Sequence, residues 1–327
     1  MKAAINWGII APGNISASFA KALNSIENAK LQAVYGRNIS KAREFSDKFN
    51  GEESYDDIDA FLADEKIQVV YVATPHPMHK EFVLKCLNAK KAVLCEKPMT
   101  LNEKDTRILI ECAQENGVFL MEAMWSRFTP TMIEVKKWIE SGEIGELKML
   151  EGSFSFQSPR NPESRLYNLA LGGGGLLDVG IYPISVGTYL LGEFPNKISS
   201  QLCIGPTGID EFGSASLKYQ NNQLLNVSFG IHCQTKHRFM IYGSKGNIEI
   251  DAPFYAATKA TLKKNGSDAI VYEKKFECNG YEYEARAVME SFEKGIEHAL
   301  CPHKDSLAIA NIMDTIRSQN GLVYPGE

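Results

Sequence analysis

The chain has 327 residues, of which 44% are hydrophobic and 23% are charged, and its formal net charge is −5. These values are typical of globular proteins and exclude collagen-like, disordered and coiled-coil chains. The length predicts about two domains, and the acidic balance argues against a nucleic-acid-binding protein, which usually carries an excess of basic residues.

The sequence gives no sign of export or of a membrane partner. Residues 1–10 contain neither a long apolar run nor a small-residue cleavage site, so no secretory signal is predicted. The most apolar stretch, 176–191, is interrupted by Asp178, Gly180 and Pro183 and is not predicted to span a membrane. The seven cysteines are odd in number and none has CxxC spacing, which predicts reduced thiols in a cytoplasmic protein.

The first 122 residues alternate between strand and helix patterns. Strands are predicted at 3–11, 31–35, 67–73, 92–95 and 118–122, and helices at 15–26, 40–49, 58–63, 79–87 and 102–116. The segment 67–73 is almost purely apolar and β-branched, as expected for a strand covered on both faces. Residues 1–122 are therefore predicted to form an α/β domain with a doubly wound parallel sheet.

The pattern changes after residue 123. Helices are predicted at 131–141, 176–191, 284–298 and 306–319, and short strands at 147–156, 198–204, 214–219, 224–231, 238–242 and 247–250. Residues 123–327 are therefore predicted to form an α+β domain with a large, mostly antiparallel open sheet that binds substrate and other subunits. The domain to which the last two helices belong is left open.

The open face of this sheet predicts self-association, because such a face is commonly buried against another copy of the chain. A homodimer is expected, with a tetramer as the alternative. Phe229 and Ile231 alternate with polar neighbours and are candidates for exposed apolar residues on that face.

The turn after the first predicted strand contains Ala11, Pro12, Gly13, Asn14 and Ile15. A dinucleotide site needs glycines here for a tight turn and a close approach to pyrophosphate, at the positive end of the following helix. Gly13 supplies the middle glycine, but Ala11 and Ser16 stand where the outer glycines usually are. The motif by itself is weak, and its strand–turn–helix–strand setting favours a dinucleotide site over an ordinary turn.

The end of the second strand indicates which dinucleotide is bound. NAD sites usually place Asp or Glu there for the ribose 2′-hydroxyl, but this chain has Gly36, Arg37 and Asn38. The guanidinium of Arg37 suits a 2′-phosphate, although a solvated surface arginine is the plain alternative. NADP is predicted, with NAD still possible.

The loop after 67–73 contains Thr74, Pro75, His76 and His79, and is expected to line the cofactor cleft. The two histidines could suggest a metal pair. No HExxH motif and no clustered set of carboxylates and histidines supports that interpretation, so no metal is predicted.

Two further segments carry candidate chemistry. Glu96 and Lys97 end an apolar strand, which suits a cleft mouth but also a plain strand-end ion pair. Four glycines, 172–175, precede a predicted helix on which Asp178 and Tyr182 share one face. Lys97 would favour the ionised phenol of Tyr182 in acid–base work, and Asp178 would orient the substrate hydroxyl or Tyr182. Taken one at a time, the features of the second segment have a plain alternative: the glycines could form a linker, and Tyr182 could be a packed core residue.

With these motifs the chain resembles the Gfo/Idh/MocA oxidoreductase family, and within it the branch of dimeric dihydrodiol dehydrogenases and NADP-dependent xylose dehydrogenases. The matching segments are 7–15 (WGIIAPGNI), 73–79 (ATPHPMH), 96–98 (EKP) and 172–182 (GGGGLLDVGIY), supported by 122–128 (EAMWSRF) and 165–168 (RLYN). The resemblance covers essentially the whole chain. It implies a Rossmann domain followed by the sheet-rich domain.

The resemblance also implies residue roles. Lys97 would contact the nicotinamide ribose and the substrate, Asp178 would bind substrate, and Tyr182 would transfer the proton. Trp125 and Arg127 would wall the nicotinamide pocket. The predicted cofactor set is Ala11, Pro12, Gly13, Asn14, Ile15, Arg37, Thr74, Pro75, His76, His79, Glu96, Lys97, Trp125 and Arg127. The predicted substrate set is Lys97, Trp125, Phe154, Asp178 and Tyr182.

The expected reaction is hydride transfer between NADP and a secondary alcohol of a sugar, polyol or trans-dihydrodiol. We expect the two residues Lys97 and Tyr182 to meet in a cleft between the two domains. Two alternatives stay open: a non-catalytic NADP-sensing regulator with this fold, and a reductase of a non-sugar carbonyl or imine.

Overall fold

A computed structural model describes residues 3–327; Met1 and Lys2, which begin the predicted first domain, lie outside the described residues. The chain divides into two compact units. The first comprises residues 3–100, 104–125 and 277–306, and the second comprises 101–103, 126–276 and 307–327. Residues 277–306, which include one of the two closing helices that the sequence left open, fold with the first unit and not with the rest of the predicted domain 123–327.

The first unit contains a six-stranded parallel sheet in the order β3-β2-β1-β4-β5-β6. Its strands are β1 (Ile5–Ile10), β2 (Ala29–Tyr35), β3 (Glu53–Tyr55), β4 (Val69–Val72), β5 (Ala92–Glu96) and β6 (Leu120–Ala123). Its connecting helices are α1 (Asn14–Leu23), α2 (Ile39–Lys48), α3 (Ile58–Ala63), α4 (His79–Asn88) and α5 (Glu103–Asn116). The predicted parallel sheet is confirmed. Within this sheet, β3 is the one strand that the sequence did not predict, because its three partly exposed residues give no periodic signal.

The second unit contains an eight-stranded sheet in the order β14-β13-β12-β11-β7-β10-β9-β8. Its strands are β7 (Leu147–Ser155), β8 (Lys197–Ile204), β9 (Asp210–Lys218), β10 (Leu224–Gly230), β11 (Phe239–Gly243), β12 (Gly246–Ile250), β13 (Lys259–Lys264) and β14 (Ile270–Glu273). Only β7 and β10 pair in parallel, so the mostly antiparallel prediction is confirmed. The helices α6 (Pro130–Glu140) and α7 (Ile181–Leu191) precede and follow β7.

The predicted helix 176–191 is two different helices. Residues Leu176–Gly180 form one π-helical segment, in which the Ile181 N–H reaches back to the Leu176 carbonyl, and α7 continues from there. The stretch Leu169–Leu191 is long and apolar enough to cross a membrane by length and composition, yet 78% of its most apolar part is buried inside the protein. A helix that is apolar on all sides is the usual centre of a protein core.

Close packing of α7 on the sheet corrects one prediction. A side chain at Gly180 would meet the ring of Phe229 at 2.8 Å, and one at Gly187 would overlap Leu225. Phe229 and Ile231 are both fully buried. They are therefore core residues rather than exposed apolar residues of a subunit interface, because the pleat turns them toward the core.

The last two helices, whose domain the sequence left open, are α8 (Tyr281–Lys294) and α9 (His303–Gln319). The first packs against α1, and the Asn279 side chain just before it donates to the carbonyl of Ser18 on α1 at 2.8 Å. Glu282 is fully buried and accepts from three successive backbone N–H groups, those of Cys278 at 2.8 Å, Asn279 at 3.1 Å and Gly280 at 2.7 Å. This carboxylate fixes the start of α8.

We predict that Glu282→Ala lowers the free energy of unfolding by about 2 kcal/mol, since hydrogen bonds to a charged acceptor contribute about 1.5–3 kcal/mol. Burial by itself would raise the pKa of Glu282, but the three N–H groups outweigh it and hold that pKa below the ordinary value. A depressed pKa in the folded state contributes stability above the unfolded pKa, and that contribution is lost as the pH falls through the folded value.

Urea denaturation at neutral and acidic pH measures this effect, and the deficit of the variant should narrow in acid. Glu290→Ala is the matched control, because Glu290 lies on the same helix in an exposed pair with Lys294 and such pairs contribute little. Equal losses in the two variants would contradict the role of Glu282.

Candidate active site

A cavity of about 350 Å³ lies where the carboxyl ends of β1, β2 and β4 meet in the first unit. This is the point of the sheet at which strand order reverses, and ligands of doubly wound folds bind at that point. Six predicted cofactor residues line it: Ala11, Pro12, Gly13, Arg37, Thr74 and Pro75. Tyr35, Asn38, Lys41, Met78 and Phe82 also line it and were not predicted.

The two departures from the glycine motif have a structural explanation. Ala11 adopts the left-handed conformation with φ 73°, which glycine adopts more readily. The hydroxyl of Ser16, which is fully buried, donates to the Ala11 carbonyl at 2.7 Å and closes the turn around it. The turn therefore keeps the conformation the motif requires without its outer glycines.

Beyond this turn the first unit offers anion-binding groups. A side chain at Gly13 would meet nothing within 4 Å, and no described side chain caps the first turn of α1. Asn14 begins that helix, with Ile15 after it, so their backbone N–H groups stand at its positive end. The buried Thr74 hydroxyl has no hydrogen-bond partner within residues 3–327. These groups fit the pyrophosphate of a dinucleotide.

The lining of the cavity also carries positive charge. Arg37 and Lys41 are exposed side chains on its lining, and no Asp or Glu is among its lining residues in the described chain. Asn38 caps α2 by accepting from the Lys41 N–H at 3.1 Å, which sets Lys41 one turn from Arg37. The sequence missed Lys41, although the cap before a predicted helix could have revealed it.

His79 lies in the core of the first unit instead of on the cavity. It is fully buried, with Nε2 at 2.8 Å from the Thr74 carbonyl and Nδ1 at 2.9 Å from the Pro98 carbonyl. Both ring nitrogens are occupied by backbone, so His79 positions two loops and is not a cofactor contact. His76 is also buried, with its ring 5.8 Å from that of His79. No group of His, Cys, Asp and Glu suited to a metal is found among residues 3–327.

The side chain of Glu96 is held by two hydrogen bonds. Tyr71 donates to one carboxylate oxygen of Glu96, and the other accepts from the Lys97 backbone N–H at 3.1 Å. Burial raises the pKa of Glu96 above its ordinary value. Glu96 is therefore a buried support for the half-buried Lys97. Nearby, the Met99 N–H donates to Glu122 at 2.8 Å and holds the same loop.

The predicted pocket walls Trp125 and Arg127 have different surroundings. Trp125 belongs to the first unit and stacks on Tyr281, with ring centroids 4.6 Å apart. Arg127 belongs to the second unit and is fully buried, donating to the hydroxyl of Ser185 at 2.9 Å and to its carbonyl at 3.1 Å. Because its guanidinium is used to hold α7, Arg127 is a core residue there and not a pocket wall.

The second unit holds Tyr182 in an aromatic cluster, which comprises Phe154, Tyr182, His237, Phe254 and Tyr255. Phe154 stacks on Tyr255 with ring centroids 4.2 Å apart and 11° between the planes, and Tyr182 lies 5.5 and 5.4 Å from these two rings. Phe154 was predicted as a substrate residue. His237, Phe254 and Tyr255 were missed, because they come from two segments far along the chain, one before β11 and one after β12.

Asp178 lies on the π-helical segment in an ion pair with Arg165 at 2.9 Å. The carboxylate side chain is 12% exposed and the guanidinium 41% exposed, so the pair reaches the surface of the unit. The sequence had singled out both residues without pairing them. The arrangement presents an anchored carboxylate and a phenol from neighbouring turns of one continuous helical stretch.

A doubly wound parallel sheet with this anion-binding turn defines a dinucleotide-binding protein, and the second unit adds a carboxylate and a phenol capable of proton handling. Residues 5–124 match the model of the oxidoreductase family with an NAD-binding Rossmann fold, and 132–249 match the GFO/IDH/MocA C-terminal domain. The chain belongs to the Gfo/Idh/MocA family. It is an NAD(P)-dependent dehydrogenase that acts on CH–OH groups.

Known relatives and solved structures agree with this assignment. The chain is 35% identical to trans-1,2-dihydrobenzene-1,2-diol dehydrogenase of Mus musculus and 31% identical to that of Homo sapiens, with 98% of each chain covered. Among structures, a 3-ketoreductase from Actinomadura kijaniata with NADP and TDP-benzene has a TM-score of 0.86 at 24% identity, covering 96% of this chain and 97% of that one. Aldose-aldose oxidoreductase from Caulobacter crescentus, with glycerol, has a TM-score of 0.88 at 22% identity and the same coverage. These structures share the fold.

We predict that His79→Ala lowers the free energy of unfolding by about 3 kcal/mol and weakens NADP binding, because the variant loses the imidazole that lies between two buried carbonyls and that, when neutral, donates to one of them. Burial lowers the pKa of His79, although the carbonyls of Pro98 and Thr74 oppose this. A histidine whose folded pKa is depressed contributes stability above its unfolded pKa, and this is lost as the pH falls.

Urea unfolding at neutral and mildly acidic pH should therefore show a smaller difference between wild type and variant in acid. His298→Ala is the control, since its ring accepts one local backbone N–H at 3.2 Å. A gap that widened in acid, or one no larger than that of the control, would contradict the bridging role.

Proposed function

We propose that this chain oxidises a secondary alcohol of a trans-dihydrodiol with NADP⁺, with sugars and polyols as the second substrate class. The observation that carries this proposal is the aromatic cluster around Tyr182, because stacked rings favour a flat unsaturated ring. The relatives named trans-1,2-dihydrobenzene-1,2-diol dehydrogenase support it. The glycerol complex of the aldose-aldose oxidoreductase from Caulobacter crescentus supports the second class.

The cationic end of the cavity supports NADP over NAD. Arg37 and Lys41 suit the 2′-phosphate, and an acidic residue for a free 2′-hydroxyl is absent from the described lining. Ala11, Pro12, Gly13 and the first turn of α1 would hold the pyrophosphate. When bound, NADP⁺ would supply the hydride acceptor for the reaction.

The remaining work falls to the chain's own side chains. We assign the transfer of the hydroxyl proton to Tyr182 and a supporting positive charge to Lys97. Asp178, held by Arg165, accepts a hydrogen bond from the neighbouring hydroxyl of the substrate. A vicinal diol supplies both hydroxyls. We propose that Asp178 and Tyr182, which lie on one continuous helical stretch, act on the same substrate molecule.

We also propose that the protein is a homodimer. A groove of about 1030 Å³ lies on the sheet of the second unit, and an open sheet face is commonly buried against another copy of the chain. Short polar side chains such as Ser199, Ser214, Ser216 and Ser228 line much of it, and Met240 adds an apolar element. Homodimers with two-fold symmetry are the commonest assembly of soluble oligomers.

We predict that Tyr182→Phe and Lys97→Ala each lower kcat by about 100-fold or more, the usual contribution of a positioned acid or base. NADPH formation is measured with benzene trans-dihydrodiol, xylose and glucose. Tyr242→Phe is the control, because Tyr242 is a half-buried tyrosine of the same unit that donates to Glu151 at 3.4 Å and is not part of the aromatic cluster.

Full activity in Lys97→Ala or Tyr182→Phe would overturn the mechanism. Tight NADP binding without turnover of any diol or polyol would instead favour the regulatory alternative. Turnover of a non-sugar carbonyl or imine alone would favour the reductase alternative.

We predict that Arg37→Ala and Lys41→Ala each raise KM for NADP⁺ by about 10-fold, because a charge-assisted hydrogen bond to phosphate contributes about 1.5–3 kcal/mol. KM for NAD⁺ should change little, since NAD⁺ lacks the 2′-phosphate. Lys48→Ala, at the other end of α2, is the matched control. Parallel losses for both cofactors would contradict the assignment of the 2′-phosphate site.

A further inference from the structure

Asp210 is a buried carboxyl group in the second unit that the proposed mechanism does not use. It begins β9 and has no exposed surface. Its Oδ2 accepts from the backbone N–H of Leu176 at 2.6 Å. Leu176 is the first residue of the π-helical segment that carries Asp178, and α7 with Tyr182 follows directly.

The glycine run is built around this carboxyl group. A side chain at Gly174 would overlap Asp210 Oδ1, and Gly174 has φ 117°, where a side chain is also strained. A side chain at Gly175 would meet the Cα of Gly230 at 2.8 Å and Asp210 Oδ2 at 3.4 Å. The sequence predicts only that these glycines let the backbone approach another group closely. In the structure, they provide the space that Asp210 occupies.

A second anchor holds the same run from the C-terminal residues. The hydroxyl of Tyr324, which is 1% exposed, donates to the Gly173 carbonyl at 2.7 Å. The guanidinium of Arg317 lies 5.1 Å from the centre of the Tyr324 ring and is paired with Glu327 at 2.6 Å. Two buried side chains from distant parts of the chain thus hold Gly173 and Leu176, at the start of the segment that carries Asp178.

We propose that Asp210 is a positioning residue, which sets the start of the π-helical segment and through it the placement of Asp178 and Tyr182. Tyr324 assists at the neighbouring carbonyl. The catalytic consequence rests on the proposed function, whereas the anchoring itself does not. The reasoning is geometric: a helix whose first N–H is tied to a buried carboxyl oxygen has a defined origin and direction.

The charge state of Asp210 adds a readout that simple packing would not give. Burial raises the pKa of Asp210 to about 7, although the backbone N–H groups of Leu176, Asp210 and Gly175 and the charge of Arg317 act in the opposite direction. Tyr324 and Glu327 are the other titratable groups on this side. The pKa of Asp210 is higher in the folded state than in the unfolded state. Protonation of Asp210 therefore stabilises the folded chain in acid, and this contribution is lost as the pH rises toward 7. Asparagine does not titrate, so the deficit of Asp210→Asn should be largest in mild acid.

The test compares Asp210→Asn and Tyr324→Phe with Asp57→Asn. The control removes the same kind of group, an aspartate that accepts from the Asp59 N–H at 2.9 Å at the start of α3 in the first unit. Amide hydrogen exchange is measured for peptides spanning 172–182 and 11–23, together with kcat, KM for NADP⁺ and thermal stability between pH 5 and 8. The full chain is used throughout.

We expect Asp210→Asn to raise exchange in 172–182 by about 10-fold and to lower kcat by about 10- to 100-fold, since small displacements of reacting groups have effects of this size. Exchange in 11–23 and KM for NADP⁺ should stay within about two-fold of wild type. Tyr324→Phe should raise exchange in the same peptide by a smaller factor, and it carries the test if Asp210→Asn does not fold.

Unchanged exchange in 172–182 in both variants would overturn the anchoring role, whatever the activity. Raised exchange with a wild-type kcat and pH profile would overturn the positioning role. A wild-type enzyme that turns over no diol or polyol would count against the proposed function, while raised exchange in 172–182 would still support the anchor.

Discussion

The candidate catalytic groups of the second unit depend on the burial of α7 against the sheet. Ten of its residues, Ile181–Leu190, are buried, and the contact is close because Gly180 and Gly187 leave room for Phe229 and Leu225. A helix buried on all sides has no solvent for the polar groups at its ends, so its N-terminal side must be satisfied by protein. That requirement explains why a carboxyl oxygen of Asp210 meets the helical stretch at Leu176.

The same solution recurs across the chain. His79, Glu122, Glu282 and Asp210 are buried polar side chains whose partners are backbone groups of loops and helix starts. His79, Glu122 and Asp210 each hold a segment that lies next to candidate functional residues. Glu282 holds the start of α8. Because buried polar groups are costly when unpaired, such contacts define one conformation of a loop more sharply than apolar packing does. The cations proposed to contact the cofactor are less buried: Arg37 and Lys41 are exposed, and Lys97 is half-buried.

Each unit thus supplies its own part of the candidate chemistry. In the first unit, the turn of Ala11 and Gly13, the hydroxyl of Thr74 and the cations Arg37 and Lys41 suit a phosphorylated dinucleotide. In the second, Tyr182 in its aromatic cluster and the Asp178–Arg165 pair are the groups that our proposal assigns to a cyclic diol. The family match assigns the two units together to one class of dehydrogenases.

The sequence by itself determined the parallel sheet, the mostly antiparallel sheet and the cofactor turn, because strand periodicity and short motifs are local signals. It also indicated Arg37, Lys97, Asp178 and Tyr182, since each lies in a recognisable segment. It could not determine which side chains are buried.

Only the tertiary structure placed His79 and Arg127 in the core, brought Tyr255 from a distant loop onto Phe154, and moved α8 into the first unit. It also revealed that the glycine run provides the space for Asp210. These outcomes depend on contacts between residues far apart along the chain. Helical and strand periodicities carry no record of such contacts, because each reports only the face on which a residue lies.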